Sequence, residues 1–223
     1  MEAFITSAQD QAIRTKAYNA NVLNCTDDSL CRMCHSSDET IYHLLSACPV
    51  LAAIGYLQRH NSVASLIHKH ICEFYGIPTC EKPWLYTPQP LVLSNNVKIM
   101  WDFGIRTDHI ISAHRPDIII HDFTQRLAIL LDVAIPADFN IVDKEKEKIQ
   151  KYQDLCLELQ RIWNLRTITF VPIIIGATGT YSPNLPKYLD LLPGEHKIGP
   201  LLKAALLGSA HLLRRSLSLQ ELW

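Results

Sequence analysis

Along the chain the spacing of apolar residues changes several times, and each change marks an element. The clearest case is the stretch from Arg115 to Tyr152, RPDIIIHDFTQRLAILLDVAIPADFNIVDKEKEKIQKY. Asp117 opens a β-branched run, Ile118-Ile119-Ile120, and a polar break from His121 to Arg126 separates it from a second apolar run, Leu127 to Leu131, which ends on Asp132. Two short strands joined by a polar turn are expected. A helix should follow from about Val142 to Trp163, then an apolar strand from Thr167 to Ile175 that stops at Gly176. Upstream, Val97 to Ile105 (VKIMWDFGI) reads as a strand with Asp102 at its far end.

Helical spacing dominates the flanks. Leu51, Ile54, Leu57, Val63, Leu66, Ile67, Ile71 and Phe74 recur at helical intervals between Pro49 and Tyr75, and Gly76-Ile77-Pro78 stops that helix. Arg59, His60, His68, Lys69 and His70 fall on its polar side, which reads as a solvated face or, beside a metal knuckle, a phosphate-meeting one. Ser7 to Leu23 has helical composition, with Ser7 or Asp10 as its start, and Ile198 to Leu219 reads as a final amphipathic helix with Arg214-Arg215 near its end. Thr79 to Asn96 carries Pro83, Pro88 and Pro90 beside Trp84 and Tyr86, the composition of a linker. The organisation is therefore a helical segment over 1–78, a linker over 79–96 and a second domain over 97–223. Its element order, with a leading helix, is αβββαβ, an α/β (α+β) fold with helices on the faces of a mixed sheet.

Two aspartates interrupt the apolar runs of that sheet. A carboxylate flanked by buried strand residues costs roughly several kcal/mol as an uncompensated ion, unless a cation or hydrogen bonds offset it. Asp117 and Asp132 on adjacent strands can share one cation, and oxygen-only ligands in an apolar setting favour Mg²⁺ or Mn²⁺, the hard ions that run phosphodiester hydrolysis. The structural alternative makes Asp117 a turn residue after Pro116 and Asp132 a cap at a strand end.

A second set of ligand types lies near the N-terminus. Cys31 and Cys34 are spaced C-x2-C, His43 follows after eight residues and Cys48 after four more. The knuckle supplies two thiolates from one tight turn, and His43 and Cys48, about a turn and a half apart on a helix begun by Ser37 or Asp38, can complete a tetrahedral Zn²⁺ site over 31–48. Four buried thiol and imidazole groups without metal are the alternative, which the short C-x2-C spacing disfavours; His35 can replace one ligand. Cys25, Cys72 and Cys80 fall outside the spacing and read as ordinary thiols. A closed four-ligand site serves folding or nucleic-acid contact, since it leaves no position for substrate.

Composition adjusts this picture in two ways. The chain has 223 residues, 48% hydrophobic and 19% charged, enough for one good core with a small appendage. No apolar run reaches about 18 residues and no signal-peptide pattern opens the chain, so a soluble intracellular protein without a membrane partner is expected, with its thiols reduced or metal-bound. The net charge of −1 departs from the basic balance of a freestanding nucleic-acid binder. Any such contact must use local patches or a larger assembly.

Taken together, the Cys-Cys-His-Cys knuckle, Arg115-Pro116-Asp117, Asp132 in an apolar strand and Lys148-x-x-Lys151-Tyr152 on a helix resemble the C-terminal part of a non-LTR (LINE-type) retrotransposon polyprotein. The likeness is to those elements whose restriction-enzyme-like endonuclease lies downstream of the reverse transcriptase. Arg59-His60-Asn61, Asp132-Val-Ala-Ile-Pro136 and Ile175-Gly176-Ala177 fit the same pattern, which spans nearly the whole chain. The resemblance implies a restriction-endonuclease-like core, Asp117 and Asp132 as acidic ligands of Mg²⁺ or Mn²⁺, and strand nicking that leaves a 3′-OH to prime reverse transcription. Related nucleases carry the catalytic lysine two residues after the second acid, which here is Ala134. In the group resembled it comes from the following helix, which makes Lys148 and Lys151 the candidates. The implied partners are target DNA and element RNA, acting in the nucleus alongside a reverse transcriptase. The polymerase's Tyr/Phe-x-Asp-Asp sequence is absent, so a fragment is expected. An inactive nucleic-acid-binding fragment and a stand-alone cellular nuclease of the same fold are the alternatives.

Overall fold

The computed structural model describes residues 2–94, 96–108 and 111–217. Its elements, in chain order, are α1 (Glu2–Gln9), α2 (Lys16–Asn21), a π-helical turn (His43–Ala47), α3 (Pro49–Leu51), a second π-helical turn (Ala52–Tyr56), α4 (Leu57–Phe74), β1 (Leu91–Ser94), β2 (Val97–Trp101), β3 (Ile118–Asp122), β4 (Leu127–Ala134), α5 (Ile141–Ile162), β5 (Thr167–Ile174), α6 (Leu185–Leu189) and α7 (Ile198–Leu217). The fold is mixed α/β. Its five strands lie in sequence order in one sheet, β1 to β4 antiparallel and β5 parallel to β4. The parallel pair needs a crossover, and α5 supplies it.

Every residue of β3 is buried because both faces of the sheet are covered. On one face Ile118, Ile120, Ile129, Leu131, Val171 and Ile173 form a core with Val63, Ile67 and Ile71 of α4, Leu189 of α6 and Leu201 and Ala205 of α7. On the other face Ile119, Ala128 and Leu130 meet Tyr152, Leu155 and Leu159 of α5, whose three-and-four spacing makes one apolar stripe. A third cluster joins Cys31, Leu44, Leu45, Cys48 and Leu51 to Ala177 and to Leu212 and Leu213 of α7.

Close approach of α4 and α7 depends on small residues. A Cβ at Gly208 would lie 2.8 Å from the Cβ of Arg59 and 3.1 Å from its Cα, and one at Gly55 would collide with the Leu212 side chain. That contact lets Arg59 lie buried, donating to Leu45 O at 2.8 Å, Ile135 O at 3.3 Å and Ser209 Oγ at 3.0 Å. Glu145 makes a comparable lock on the other side of the molecule. It accepts from Ser182 Oγ, from Asn184 Nδ2 at 2.8 Å and from Tyr188 OH at 3.0 Å, which pins α5 to the segment after β5.

Several expected boundaries move, each for a local reason. The helix expected over Ser7 to Leu23 is two short ones, broken where Gln11 adopts φ 55°, with Thr15 capping α2 through Tyr18 N. The strand expected to reach Ile105 ends at Trp101, because Asp102 takes a left-handed φ of 46° and turns the chain, held by Arg115 with Nε 2.6 Å from Asp102 Oδ1. Within the stretch read as a linker lies β1, paired residue for residue with β2. The second acidic strand does not end on Asp132 but runs on to Ala134, paired with β5 throughout. Thr40 caps the knuckle helix, its hydroxyl accepting from His43 N at 3.0 Å; Asp38 instead bridges to Leu30. Ser218 and Leu219, the end of the last expected helix, lie outside the described residues.

The α4 face read as solvated is largely covered. Arg59, His68 and Lys69 are buried, and His68 Nδ1 lies 2.7 Å from Tyr86 OH, with the ring edge-on to Trp101. Burial lowers His68 to about 4, so it is neutral at physiological pH.

The buried stripe of α5 yields a test of its orientation. Leu155→Ala removes a fully buried side chain and is expected to cost about 2–5 kcal/mol, while Leu157→Ala, 61% exposed, should stay within about 0.5 kcal/mol in urea titrations.

Candidate active site and metal cluster

The register of β3 and β4 decides where the two aspartates go. Ile118 pairs with Leu131, so the next antiparallel step sets Asp117 opposite Asp132. Asp132 shares side-chain parity with Leu130 and meets α5, whereas Asp117, just before β3, meets His60 of α4 and Val133 N. The two aspartates line a cleft of about 540 Å³ whose walls also carry His60, Arg115, Lys144, Glu147, Lys148, Lys151 and Tyr152.

Asp132 is 3% exposed, and two side chains one helical turn apart on α5 meet it. Tyr152 OH donates to Oδ1 at 2.5 Å, and Lys148 Nζ stands 2.6 Å from Oδ2. Oδ2 is buried, with Lys148 as its partner in an ion pair. Burial raises the Asp132 carboxyl above its ordinary range, the Asp117 charge adds to this, and Lys148 and Tyr152 oppose it. Two carboxylates lining one cleft are oxygen donors of the kind a hard divalent cation takes. Two carboxylates in an open cleft leave room for the water and phosphate oxygens that Mg²⁺ retains.

Asp117 is held from the other side. Its Oδ2 accepts from Val133 N at 2.6 Å and lies 3.0 Å from His60 Nε2, which is also 3.0 Å from Val133 O. A carbonyl oxygen only accepts, so Nε2 carries the proton. Burial alone would lower His60, but the bond to Asp117 and its charge outweigh burial and take it up to about 9.

Of the two candidate lysines, Lys148 touches Asp132, while Lys151 places its Nζ 4.9 Å over the Tyr152 ring in the same cleft. Sequence reasoning gave His60 only a solvated or phosphate-meeting face and Tyr152 no role of its own. Both belong to the patterns Arg59-His60-Asn61 and Lys151-Tyr152, yet nothing local to them marks a contact with Asp117 or Asp132.

Cys31, Cys34, His43 and Cys48 converge as well. Their ligand atoms lie within 4.8 Å of one another, close enough to bind a metal such as zinc. His35 is exposed and lies outside this set. Cys34 Sγ is 3.2 Å from His43 Nε2, and the Ser36 hydroxyl donates to it at 3.2 Å. That hydroxyl brings the Cys34 thiol down to about 6, whereas burial pushes Cys31 up to about 11; a cation would offset the charge that Cys31 must carry as a ligand.

The backbone around the cluster is built to hold it. On an ordinary helix His43 and Cys48 would project about 140° apart, at 100° per residue. The π-helical turn, with Cys48 N donating to His43 O at 2.8 Å, widens the turn by a residue and brings them towards one side. Buried Glu39 braces the knuckle, accepting from Arg32 Nε at 2.7 Å, Arg32 N at 2.9 Å and Lys16 N at 2.9 Å. Tyr56 OH accepts from Cys48 N at 3.2 Å and donates to Leu44 O at 3.0 Å, tying the cluster to the head of α4.

Among the described residues no helix is long and apolar enough to cross a membrane. A search of protein-family models finds none that matches the chain, and a search of curated proteins finds no matching relative.

Proposed function

We propose that the chain is a Mg²⁺- or Mn²⁺-dependent DNA endonuclease with a restriction-endonuclease-like core, similar to the nicking module of non-LTR retrotransposons, and that its Cys₃His cluster holds a structural Zn²⁺. The observation that carries the reading is the pair Asp132, on β4, and Asp117, just before β3, in one cleft, with Lys148 against the buried one. A merely structural carboxylate gains nothing from facing a second acid at a cleft wall. Here the acids and the lysine share one cleft.

Asp117 and Asp132 would hold the divalent cation. Bound there, it would neutralise a phosphate oxygen and make a water more acidic, the two services a phosphodiester needs. Lys148 stands 2.6 Å from Asp132, where it would meet the charge that gathers on the phosphate oxygens. Tyr152 fixes the other oxygen of Asp132, so the carboxylate does not rotate. Hydrolysis forms a bond from water oxygen to phosphorus and breaks the bond to the 3′ oxygen, which takes up a proton and leaves as a 3′-OH. Lys151 lines the remaining wall with Arg115 and Lys144, which are paired with Asp102 and Glu147 and would exchange those carboxylates for flanking phosphates. This local basic wall reconciles DNA contact with a net charge of −1.

Purified without chelator, the protein is expected to carry about one equivalent of zinc by elemental analysis. Cys31→Ser should lose it, and Cys80→Ser, exposed and outside the cluster, should keep it. Zinc-free wild-type protein would refute the assignment.

In a supercoiled-plasmid assay, Mg²⁺ should support nicking that disappears in Asp117→Ala and Asp132→Ala with their circular dichroism unchanged. Lys148→Ala should fall by about 10²-fold or more. Lys151→Ala should mainly weaken DNA binding and its salt dependence. Wild-type protein that binds DNA without nicking it would leave a binding fragment in place of the enzyme.

A further inference from the structure

We propose that His60 is a positioning residue for the acidic pair, one that fixes which oxygen of Asp117 faces the cation; this rests on the reading of Asp117 and Asp132 as a divalent-cation site. Asp117 precedes β3 and so lies outside the ladder that orients its neighbours, although its main-chain oxygen accepts from Asp102 N at 2.7 Å. A carboxylate at such a point is free to turn about its last bond. Two donors stop it, both on the same oxygen. Val133 N gives one bond to Oδ2 at 2.6 Å, and His60 Nε2 gives another at 3.0 Å while also meeting Val133 O at 3.0 Å.

His60 thus closes a small ring that includes the Asp117 carboxylate and the main chain of the residue following Asp132. The ring fastens the loose acid to the strand of the fixed one. Oδ2 is occupied as an acceptor, and Oδ1 takes no part in these bonds. The imidazole is itself oriented, with Nδ1 3.0 Å from Asn61 Oδ1 and its α4 neighbour Arg59 locked by Leu45 O, Ile135 O and Ser209 Oγ. Because His60 comes from the first turn of α4 and Asp117 is 57 residues further on, α4 acts as a third support of a site otherwise built from β3, β4 and α5. Residues that orient a metal ligand in this way typically change metal affinity by about 10–100-fold when removed.

The test reads cation binding directly, with Mn²⁺ titrated into DNA-free protein and free Mn²⁺ followed by electron paramagnetic resonance. His60→Ala is expected to weaken Mn²⁺ binding by about 10–100-fold. His60→Gln, whose amide N–H can reach Asp117, should recover most of that loss, and His60→Leu, matched in bulk but without a donor, should not. Nicking by His60→Ala should return towards the wild-type kcat as Mn²⁺ is raised, because the defect lies in cation affinity. Zinc content and melting temperature monitor the fold, and the comparison of His60→Gln with His60→Leu replaces His60→Ala should the latter unfold. Equal Mn²⁺ affinity in wild type and His60→Leu, with wild-type nicking intact, overturns the role of His60 and leaves the nuclease reading standing. Equal losses in His60→Gln and His60→Leu assign the residue to packing and overturn it too. Wild-type protein that binds no Mn²⁺ at millimolar concentration overturns both.

Discussion

A carboxylate inside a β-strand is the constraint around which the rest of the site is arranged. Asp132 stands within the apolar run of β4, one residue past the end of its ladder with β3, still paired with β5 and 3% exposed, where a valine or leucine would stabilise the sheet. Its desolvation costs roughly several kcal/mol unless compensated. The compensation dictates geometry. Lys148 and Tyr152 must stand one turn apart on the same side of α5, so the rotation of that helix over the sheet follows from the acid as much as from Leu155 and Leu159. The second acid, opposite in register, raises the cost again through like charge.

The same cleft shares a wall with the cysteine cluster. Tyr56 bonds to the backbone of His43 and Leu44, and the Arg59 guanidinium lies 5.1 Å over the Tyr56 ring while it donates to Leu45 O on one side and Ile135 O on the other. Burial lowers Arg59 to about 10, which still leaves it charged at neutral pH. Tyr56, Ile135 and Arg59 all line the cleft. The π-helical turns before and after α3 are therefore not isolated irregularities: one brings His43 and Cys48 together, the other leads through Tyr56 into α4, whose His60 reaches Asp117. Closure of the ligand cluster and the shape of the cleft are mechanically connected through a few main-chain oxygens.

Gly208 and Gly55 make this connection possible from the far side. With side chains there, α7 would stand off from α4, and Ser209, which donates to Ala177 O at 2.6 Å and accepts from Arg59, would lose its place between them. Asp138 performs a parallel task after β4. Its carboxylate accepts from Thr178 N, Thr178 Oγ1 and Thr180 N, and its Cγ sits where a Cβ on residue 176 would come within 2.8 Å, so Gly176 is required for the turn that follows β5 to close.

The amino-acid order by itself determined much of this. The runs around Asp117 and Asp132, the helix carrying Lys148 and Tyr152, the strand after it and the C-x2-C knuckle were all legible, because amphipathic period and ligand spacing are local properties. Other features had no local signal. That β4 continues past Asp132 depends on pairing with β5, some 40 residues later; that β1 exists depends on β2 accepting it. The burial of Arg59, His68 and Lys69 contradicts the helical pattern around them, since it rests on partners such as Ser209, 150 residues away from Arg59, and Tyr86, 18 away from His68. Which lysine meets Asp132 was likewise open at a spacing of three residues, where two side chains share nearly one face and only the tilt of α5 against the sheet separates them. The contact between His60 and Asp117 was decided by tertiary structure alone, because a hydrogen bond between the first turn of a helix and the start of a strand 57 residues on leaves no period in the sequence to read.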